Sequence, residues 1–312
     1  MSDLQRFAGK DILGVGDFDR SDLAGLFAET RRMQRIVRER GATDLLRGRV
    51  LANLFYEPST RTSSCFLAAM TRLGGSVIPI SEVRYSSVSK GESLRDTVRT
   101  LEAYADVIVL RHPEVGAAKI AADAAKKPVI NAGDGPGEHP TQALLDLFTI
   151  EAELGPVEGK TVTFLGDLKY GRTVHSLARL LALTGARVRY VSPPAVAMPR
   201  PLVAELAARG LEQSEHAELD EVLADTDVLY VTRVQKERFS SEADYETARR
   251  GYRVDAALLG RMKARAVVMH PLPRVGELDE SVDDDPRTAI FRQVEYGMYV
   301  RMALLAAVLG RA

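Results

Sequence analysis

Short apolar segments alternate with longer amphipathic segments along the chain, and this alternation constrains the fold more than any other feature. It is typical of βαβ units, in which parallel strands form a sheet and helices cover its faces. The apolar segments predict strands at residues 50–56, 76–80, 106–110, 128–131, 161–165, 187–191, 228–232 and 266–270. Helical periodicity predicts helices at residues 21–40, 63–73, 141–154 and 291–309.

The chain of 312 residues is long enough for about two domains, each with its own core. We therefore predict an α/β fold of two doubly wound domains, each with a central parallel sheet flanked by helices. The first domain is expected at residues 1–140 and the second at 141–291, with the long helix at 141–154 linking them. The C-terminal helix, about 292–312, is expected to pack back on the first domain.

Composition excludes several classes of protein. Lys and Arg number 42 and Asp and Glu 43, so the net charge provides no general attraction for nucleic acid or anionic lipid. No apolar run reaches 18 residues and the first residues lack a signal-peptide core, so we expect a cytoplasmic protein without a membrane span. Cys65 is the only cysteine, and no His, Asp or Glu cluster has metal-ligand spacing. We therefore expect neither a metal nor a cofactor, and interpret Cys65 as buried packing.

Three hydroxyl side chains and one guanidinium follow the first predicted strand, at Ser59, Thr60, Arg61 and Thr62. A helical pattern comes next, and the first N–H groups of a helix have no partner within it and attract anions. Together these groups predict a phosphate-binding cradle built without glycines. The alternative is an ordinary N-cap with a surface arginine, although capping needs only one hydroxyl.

Polar, mostly cationic groups follow five further predicted strands. In a parallel sheet the carboxyl ends of the strands form the ligand-binding edge, so their recurrence there predicts an anionic ligand with several negative groups. His139 precedes Pro140 at a helix start, where a neutral imidazole could donate to a carbonyl oxygen; the alternative is a simple capping role. His270 is expected to be structural. The candidates after these five strands are Arg111, His139 with Gln142, Arg172, Arg233 with Gln235, and the Pro271–Arg274 segment.

Two glycine-containing segments imitate nucleotide-binding motifs without matching them. The segment Gly166–Thr173 resembles a Walker A loop, but Arg172 stands where the lysine belongs. Gly133, Gly135 and Gly137 have the wrong spacing for a dinucleotide fingerprint. A nucleotide-dependent enzyme is thus a weaker alternative, and stabilisation by NAD(P) or ATP would reveal it.

Two polar segments, 85–92 and 235–251, are either binding loops or solvated surface loops.

Several motifs together resemble the aspartate/ornithine carbamoyltransferase family, in order and over nearly the whole chain. The resemblance implies transfer of a carbamoyl group from carbamoyl phosphate to the amine of an amino acid. The matching motifs are Phe55-Tyr-Glu-Pro-Ser-Thr-Arg-Thr62, Ser89-Lys-Gly-Glu92, Val109-Leu-Arg-His-Pro113, Asn131-Ala-Gly-Asp-Gly135, His139-Pro-Thr-Gln-Ala-Leu-Leu-Asp146, Gly166-Asp-Leu-Lys-Tyr-Gly-Arg-Thr-Val-His175, Thr232-Arg-Val-Gln-Lys-Glu-Arg238 and His270-Pro-Leu-Pro-Arg274.

The acceptor implied by the resemblance is L-aspartate, giving N-carbamoyl-L-aspartate and phosphate in de novo pyrimidine (UMP) synthesis. Pro271 stands where the ornithine enzymes carry a cysteine, and Thr232-Arg-Val-Gln235 is similar to the aspartate type. Ornithine or another amino acid is the alternative acceptor. A non-catalytic homologue that acts as a binding module is an alternative to an enzyme. The segment Thr62-Ser-Ser-Cys-Phe66 looks like the domain fused into multifunctional pyrimidine-synthesis proteins.

The resemblance also implies roles for individual residues and for partners. The catalytic residues implied by the resemblance are Arg61, Thr62, Arg111 and His139. Carbamoyl phosphate binding falls on these four with Ser59, Thr60, Gln142, Leu272, Pro273 and Ser86, and aspartate binding falls on Lys90, Arg172, Arg233, Gln235 and Leu272. The family pattern implies a homotrimer in which Ser86 and Lys90 come from the neighbouring chain, and a Leu272–Pro273 bond that is cis. A regulatory chain or association with other enzymes of the pathway stays open.

Overall fold

The computed structural model describes residues 3–80, 90–233 and 252–312, which divide into two compact units. Unit 1 contains the described residues up to Leu145 together with Glu295–Ala312, and unit 2 contains those of Asp146–Val294. These divisions lie a few residues beyond the predicted domain limits at 140 and 291. Each unit is built around its own parallel sheet.

Unit 1 is built from four strands and the helices that flank them. The elements are α1 Arg20–Arg40, β1 Val50–Phe55, α2 Thr60–Arg72, β2 Ser76–Ile80, α3 Leu94–Glu102, β3 Val107–His112, α4 Ala117–Ala124 and β4 Val129–Asp134. The sheet order is β2-β1-β3-β4, with every neighbouring pair parallel, and the chain order reverses between β1 and β3. Residues 51–55 of β1 are all buried, as expected for a strand covered on both faces.

Unit 2 is built from five strands and their helices. The remaining elements of the chain are α5 Pro140–Leu154, β5 Thr161–Leu165, α6 Arg172–Leu181, β6 Arg187–Val191, α7 Arg200–Ala208, β7 Glu212–His216, β8 Val228–Val231, α8 Ala256–Leu259, β9 Val267–Met269 and α9 Ile290–Val308. The parallel sheet has the order β7-β6-β5-β8-β9, and the chain order reverses between β5 and β8. Helices α5 and α9 each include a position at which the units divide.

The predicted fold class is confirmed, and the eight predicted strands and four predicted helices are present with small shifts at their ends. One strand was missed, because Glu212–His216 is polar and half-exposed at the edge of its sheet.

The prediction that Arg111 follows the strand at residues 106–110 was wrong. Strand β3 extends to His112, since the Tyr56 N–H donates to the Arg111 carbonyl (2.9 Å) and His112 pairs with Asp134. Among the helices that the structure describes, none is long and apolar enough to cross a membrane.

Gly166 lies where the ends of β5 and β8 approach closely. Its φ is +117°, and a Cβ atom built there would lie 2.3 Å from the Thr232 carbonyl oxygen. Gly159, at the start of the same unit, has φ +72° but nothing within 4 Å of a Cβ. Of these two glycines, only Gly166 therefore combines an unfavourable φ with a backbone collision.

We predict that Gly159→Ala lowers the free energy of unfolding by about 1 kcal/mol, because it adds only backbone strain. Gly166→Ala should cost about 3 kcal/mol or more, since overpacking adds to that strain. Urea unfolding of both variants and the parent chain measures the difference. Equal losses in the two variants would contradict the close approach of β5 and β8.

Candidate active site

The predicted phosphate cradle forms the N-terminal turn of α2 in unit 1. Ser59 is the N-cap residue, but its side chain makes no capping hydrogen bond, and Thr60 begins the helix. The first intrahelical bond runs from the Ser63 N–H to the Ser59 carbonyl (3.1 Å). The N–H groups of residues 60–62 therefore have no partner within the helix. This arrangement suits an anion better than it suits the alternative of an ordinary N-cap.

Strand β1 fixes the position of this turn. The Asn53 side chain donates to the Ser63 hydroxyl (3.0 Å) and carbonyl (3.3 Å), which ties α2 to the strand before it. Thr62 is buried, whereas Arg61 is exposed. The hydroxyls and the guanidinium thus lie at the carboxyl end of β1, beside the position at which the strand order reverses.

Arg111 lies on the other side of that reversal, in register with Phe55. Its guanidinium is largely buried, with 11% of the side chain exposed. Nε donates to Glu57 Oε2 at 2.9 Å, Nη2 lies 2.7 Å from the same oxygen, and Nη1 donates to the Ala132 carbonyl at 3.3 Å. The structure therefore brings Arg111 beside the Ser59–Thr62 turn, where the sequence predicted one combined site.

Positive charge is concentrated around this turn. Partial desolvation of the Arg61 guanidinium lowers its pKa although the residue is exposed, and the nearby Arg111 lowers the pKa further. Burial also lowers the pKa of Arg111; the Glu57 carboxylate opposes that shift, whereas Arg301 adds to it. Arginine stays protonated in proteins, so these shifts report mutual repulsion and desolvation, not loss of charge. An anion bound here would offset this repulsion.

Arg301 is a residue that the sequence predictions missed. It lies on α9, is 4% exposed, and its Nη1 donates to the Cys65 sulfur (3.1 Å) and the Gly297 carbonyl (3.4 Å). Its guanidinium carbon lies 5.2 Å from the centre of the Phe66 ring. Cys65 is half-buried and contacts this cation, which corrects its interpretation as simple buried packing. No local pattern could reveal Arg301, because it lies in an apolar helix distant in sequence.

His139 and Gln142 begin α5, still within unit 1. His139 is 4% exposed, and its carbonyl accepts from the N–H groups of Gln142 (3.0 Å) and Ala143 (3.2 Å). Asp134 holds the preceding loop, accepting from the N–H groups of Glu138 and Gly116 (both 2.8 Å). His139 is thus fixed by backbone bonds at a helix start, as predicted. Its predicted contact with a ligand carbonyl stays a prediction.

In unit 2 the segments that carry Arg172 and Arg233 meet where the second strand order reverses. Arg172 begins α6 after β5, and Arg233 follows β8; both are half-buried. Thr232 joins the two segments, because its N–H donates to the Leu165 carbonyl (2.8 Å) and its hydroxyl to the Asp167 carbonyl (3.3 Å). Both arginines therefore follow the carboxyl ends of their strands, as predicted, at the edge where parallel sheets generally bind ligands.

The Leu272–Pro273 peptide bond is cis, as expected, and Leu272 has φ +57°. His270 supports this turn: Nδ1 accepts from the Leu272 N–H (2.8 Å), and Nε2 donates to Glu277 Oε1 (2.8 Å). Burial raises the pKa of Glu277, but hydrogen bonds from His270 and the Val275 backbone lower it overall. The structural role expected of His270 is confirmed.

The remaining site predictions fall at or beyond the gaps in the described chain. Ser86 and Gln235, with most of the segments 85–92 and 235–251, lie outside the described residues. Lys90 is described and exposed. The described candidate residues therefore form two groups, one in each unit, and each group is called a half-site below. The unit 1 half-site comprises Ser59–Thr62, Arg111, His139 and Gln142, and the unit 2 half-site comprises Arg172, Arg233 and the Leu272–Pro273 turn.

Comparison with known families assigns both units. Residues 10–152 match the carbamoyl-P binding domain, and residues 158–308 the Asp/Orn binding domain, of aspartate/ornithine carbamoyltransferase. The second match includes the C-terminal helix, most of which lies in unit 1. The chain belongs to the aspartate/ornithine carbamoyltransferase family.

Within this family the chain groups with the aspartate carbamoyltransferases, which confirms the predicted type. It is 49% identical to the catalytic subunit from Thermoplasma acidophilum over 96% of this chain and 98% of that protein. It is 56% identical over 99% of its length to the multifunctional protein CAD of Squalus acanthias, of which it spans only 14%. The Trypanosoma cruzi aspartate transcarbamoylase, solved with carbamoyl aspartate and phosphate, has a TM-score of 0.93 and 46% identity, covering 98% of this chain and 97% of that one.

We predict that Arg61→Met weakens binding of inorganic phosphate about 10- to 100-fold, because it removes a charge-assisted hydrogen bond. Arg47→Met makes the same change of net charge at a side chain that is 80% exposed, and should alter the affinity less than about twofold. Isothermal titration calorimetry measures both. Equal effects of the two substitutions would show that net charge, and not the α2 turn, binds the anion.

Proposed function

We propose that this chain catalyses the reaction of carbamoyl phosphate with L-aspartate to give N-carbamoyl-L-aspartate and phosphate, in de novo pyrimidine synthesis. One observation carries the proposal. Each sheet presents cationic side chains where its strand order reverses: Arg61 and Arg111 in unit 1, and Arg172 and Arg233 in unit 2. A phosphate on one substrate and two carboxylates on the other match this distribution of positive charge.

Unit 1 binds carbamoyl phosphate in this proposal. The hydroxyls and N–H groups of the Ser59–Thr62 turn, with Arg61, bind the phosphate. Thr62, Arg111 and His139 bind the carbonyl oxygen, on which negative charge develops during the reaction. The largely buried position of Arg111 supports this role, because a fixed donor in a desolvated site stabilises an oxyanion strongly. The Gln142 side chain and the carbonyls of Leu272 and Pro273 accept from the carbamoyl NH2 group.

Unit 2 binds the aspartate carboxylates through Arg172 and Arg233, assisted by Gln235 and by Lys90. The aspartate amine attacks the carbonyl carbon, forming a C–N bond and a tetrahedral oxyanion. The C–O bond to phosphate then breaks as the carbonyl re-forms, and the departing phosphate takes a proton from the amine. Positioning and electrostatic stabilisation therefore carry the catalysis, and no covalent enzyme intermediate is involved.

The proposed assembly is a homotrimer in the cytoplasm, with Ser86 and Lys90 of each chain entering the half-sites of its neighbour. The family resemblance supports this arrangement, and so does Lys90, which is exposed and so accessible to another chain. Further partners in this proposal are a regulatory chain or other enzymes of the pathway. Association with other enzymes is supported by the multifunctional relatives, of which this chain spans 14%.

We predict activity with aspartate, and less than about 1% of that activity with ornithine, in a colorimetric ureido assay with carbamoyl phosphate. The two arginines of unit 2 favour a dicarboxylate and repel the ornithine ammonium group. A panel of acceptor amino acids at equal concentration makes the comparison. Activity with ornithine and none with aspartate would overturn the proposed function.

We predict that Arg61→Ala and Lys90→Ala chains, each nearly inactive alone, regain activity when dissociated and reassembled together. In a random equal mixture about a quarter of the sites would contain both intact residues, because each residue is intact in half of the chains. Native mass spectrometry of size-tagged chains verifies mixing, and a mixture of either variant with itself is the control. Mixed trimers as inactive as their parents would show that Lys90 does not act across chains.

A further inference from the structure

A fully buried carboxylate, Asp146 on α5, is the centre of a hydrogen-bond network inside unit 2. Its Oδ2 accepts from the Tyr230 hydroxyl at 2.7 Å, and its Oδ1 accepts from the Gln293 side-chain amide at 2.6 Å. Tyr230 is on β8 and Gln293 on α9; both are also buried. Short bonds to a buried charge are strong, so the three side chains hold one another in a single arrangement.

One arm of this network reaches the two segments that carry the unit 2 arginines. Tyr230 lies three residues before Arg233 on the same strand and its extension. The side chain of Thr173, the residue after Arg172, lies near the Tyr230 hydroxyl. Burial and the Asp146 carboxylate raise the pKa of Tyr230, whereas Thr173 lowers it, so the hydroxyl keeps its proton as a donor to Asp146.

The other arm reaches the Leu272–Pro273 turn. The Gln293 side-chain carbonyl oxygen accepts from the His270 N–H at 3.1 Å, and His270 Nδ1 in turn accepts from the Leu272 N–H at 2.8 Å. Every link joins buried or half-buried groups with defined donors and acceptors. Asp146 is therefore connected, through two partners, to all three described segments of the unit 2 half-site.

A purely structural carboxylate is a poor explanation for this connection. Burying a charge is costly, and apolar residues of similar volume often stabilise a core as well or better. The network instead specifies one orientation for three segments that are far apart in sequence. We infer that Asp146 is a positioning residue: through its two hydrogen-bond partners it fixes the segments that bind the acceptor amino acid. The inference rests on the proposed function of unit 2.

A donor–acceptor exchange tests the inference. Asp146→Asn either places an amide donor against the Gln293 amide donor or removes the oxygen that accepts from the Tyr230 hydroxyl, and Gln293→Glu places two carboxylates together. The double variant D146N/Q293E restores every hydrogen bond of the network, with donor and acceptor exchanged in the bond between positions 146 and 293. The new amide at position 146 donates to the new carboxylate at position 293 and still accepts from Tyr230, while that carboxylate still accepts from the His270 N–H. The exchange also keeps the net charge, and no merely local packing role would be rescued by it.

We expect each single substitution to raise the KM for aspartate about 10- to 100-fold, because small misplacements of binding groups cost that much. The KM for carbamoyl phosphate should rise less than about threefold, because only its NH2 group contacts the Leu272–Pro273 turn in the proposed function. The double variant should recover most of the aspartate KM. Thr163→Val is the matched control, since it removes a buried hydrogen bond of 2.7 Å between Thr163 on β5 and Thr226, which lies outside the network. It should lower stability without changing the aspartate KM.

Several outcomes would overturn the inference: single variants with an unchanged aspartate KM, an equal loss for both substrates, or no recovery in the double variant. If the single variants do not fold, the double variant and Tyr230→Phe, which keeps the ring, decide the matter. A folded double variant with near-normal aspartate KM, beside a several-fold increase in Tyr230→Phe, supports the inference, and the reverse pattern contradicts it. Failure of the proposed function is recognised separately, because the unsubstituted enzyme would then form no N-carbamoyl-aspartate.

Discussion

Parallel strand pairing is the constraint on which the rest of the structure depends. It brings every strand of a sheet to the same edge at its carboxyl end, and the reversal of strand order opens a place where loops diverge. In unit 1 that place lies between β1 and β3, and in unit 2 it lies between β5 and β8. The α2 turn and Arg111 occupy the first, and the Arg172 and Arg233 segments occupy the second. Each half-site thus follows from the topology of its own sheet.

The two half-sites solve different physical problems. In unit 1 several guanidinium groups lie near one another, and Glu57 provides Arg111 with a carboxylate. Arg301, buried behind α2 against a thiol and an aromatic ring, adds a positive charge that cannot move into solvent. Such a site is costly to maintain and favours an anion. In unit 2 the problem is alignment, because the groups that would bind one small amino acid come from three distant segments.

Local chemistry explains what could be predicted from the sequence. Apolar runs identified eight strands, since strands buried on both faces need continuous apolar residues, and the cluster of hydroxyls with Arg61 identified the α2 turn. The polar edge strand Glu212–His216 lacks that signal. Arg301 and the Asp146 network could not be predicted either, because their roles arise only when segments distant in the chain come together. Family resemblance supplied the residue roles, whereas the residues alone predicted only a multiply charged anion.

The central claim is that a phosphate-like group binds at the α2 turn and that two carboxylates bind at the unit 2 arginines. A crystal structure with a bisubstrate ligand that joins a phosphonate to aspartate tests it most directly. The account predicts phosphonate oxygens within hydrogen-bond distance of the Ser59–Thr62 turn, and carboxylates bound by Arg172 and Arg233. A phosphonate bound away from the α2 turn, or carboxylates that contact neither arginine, would contradict it.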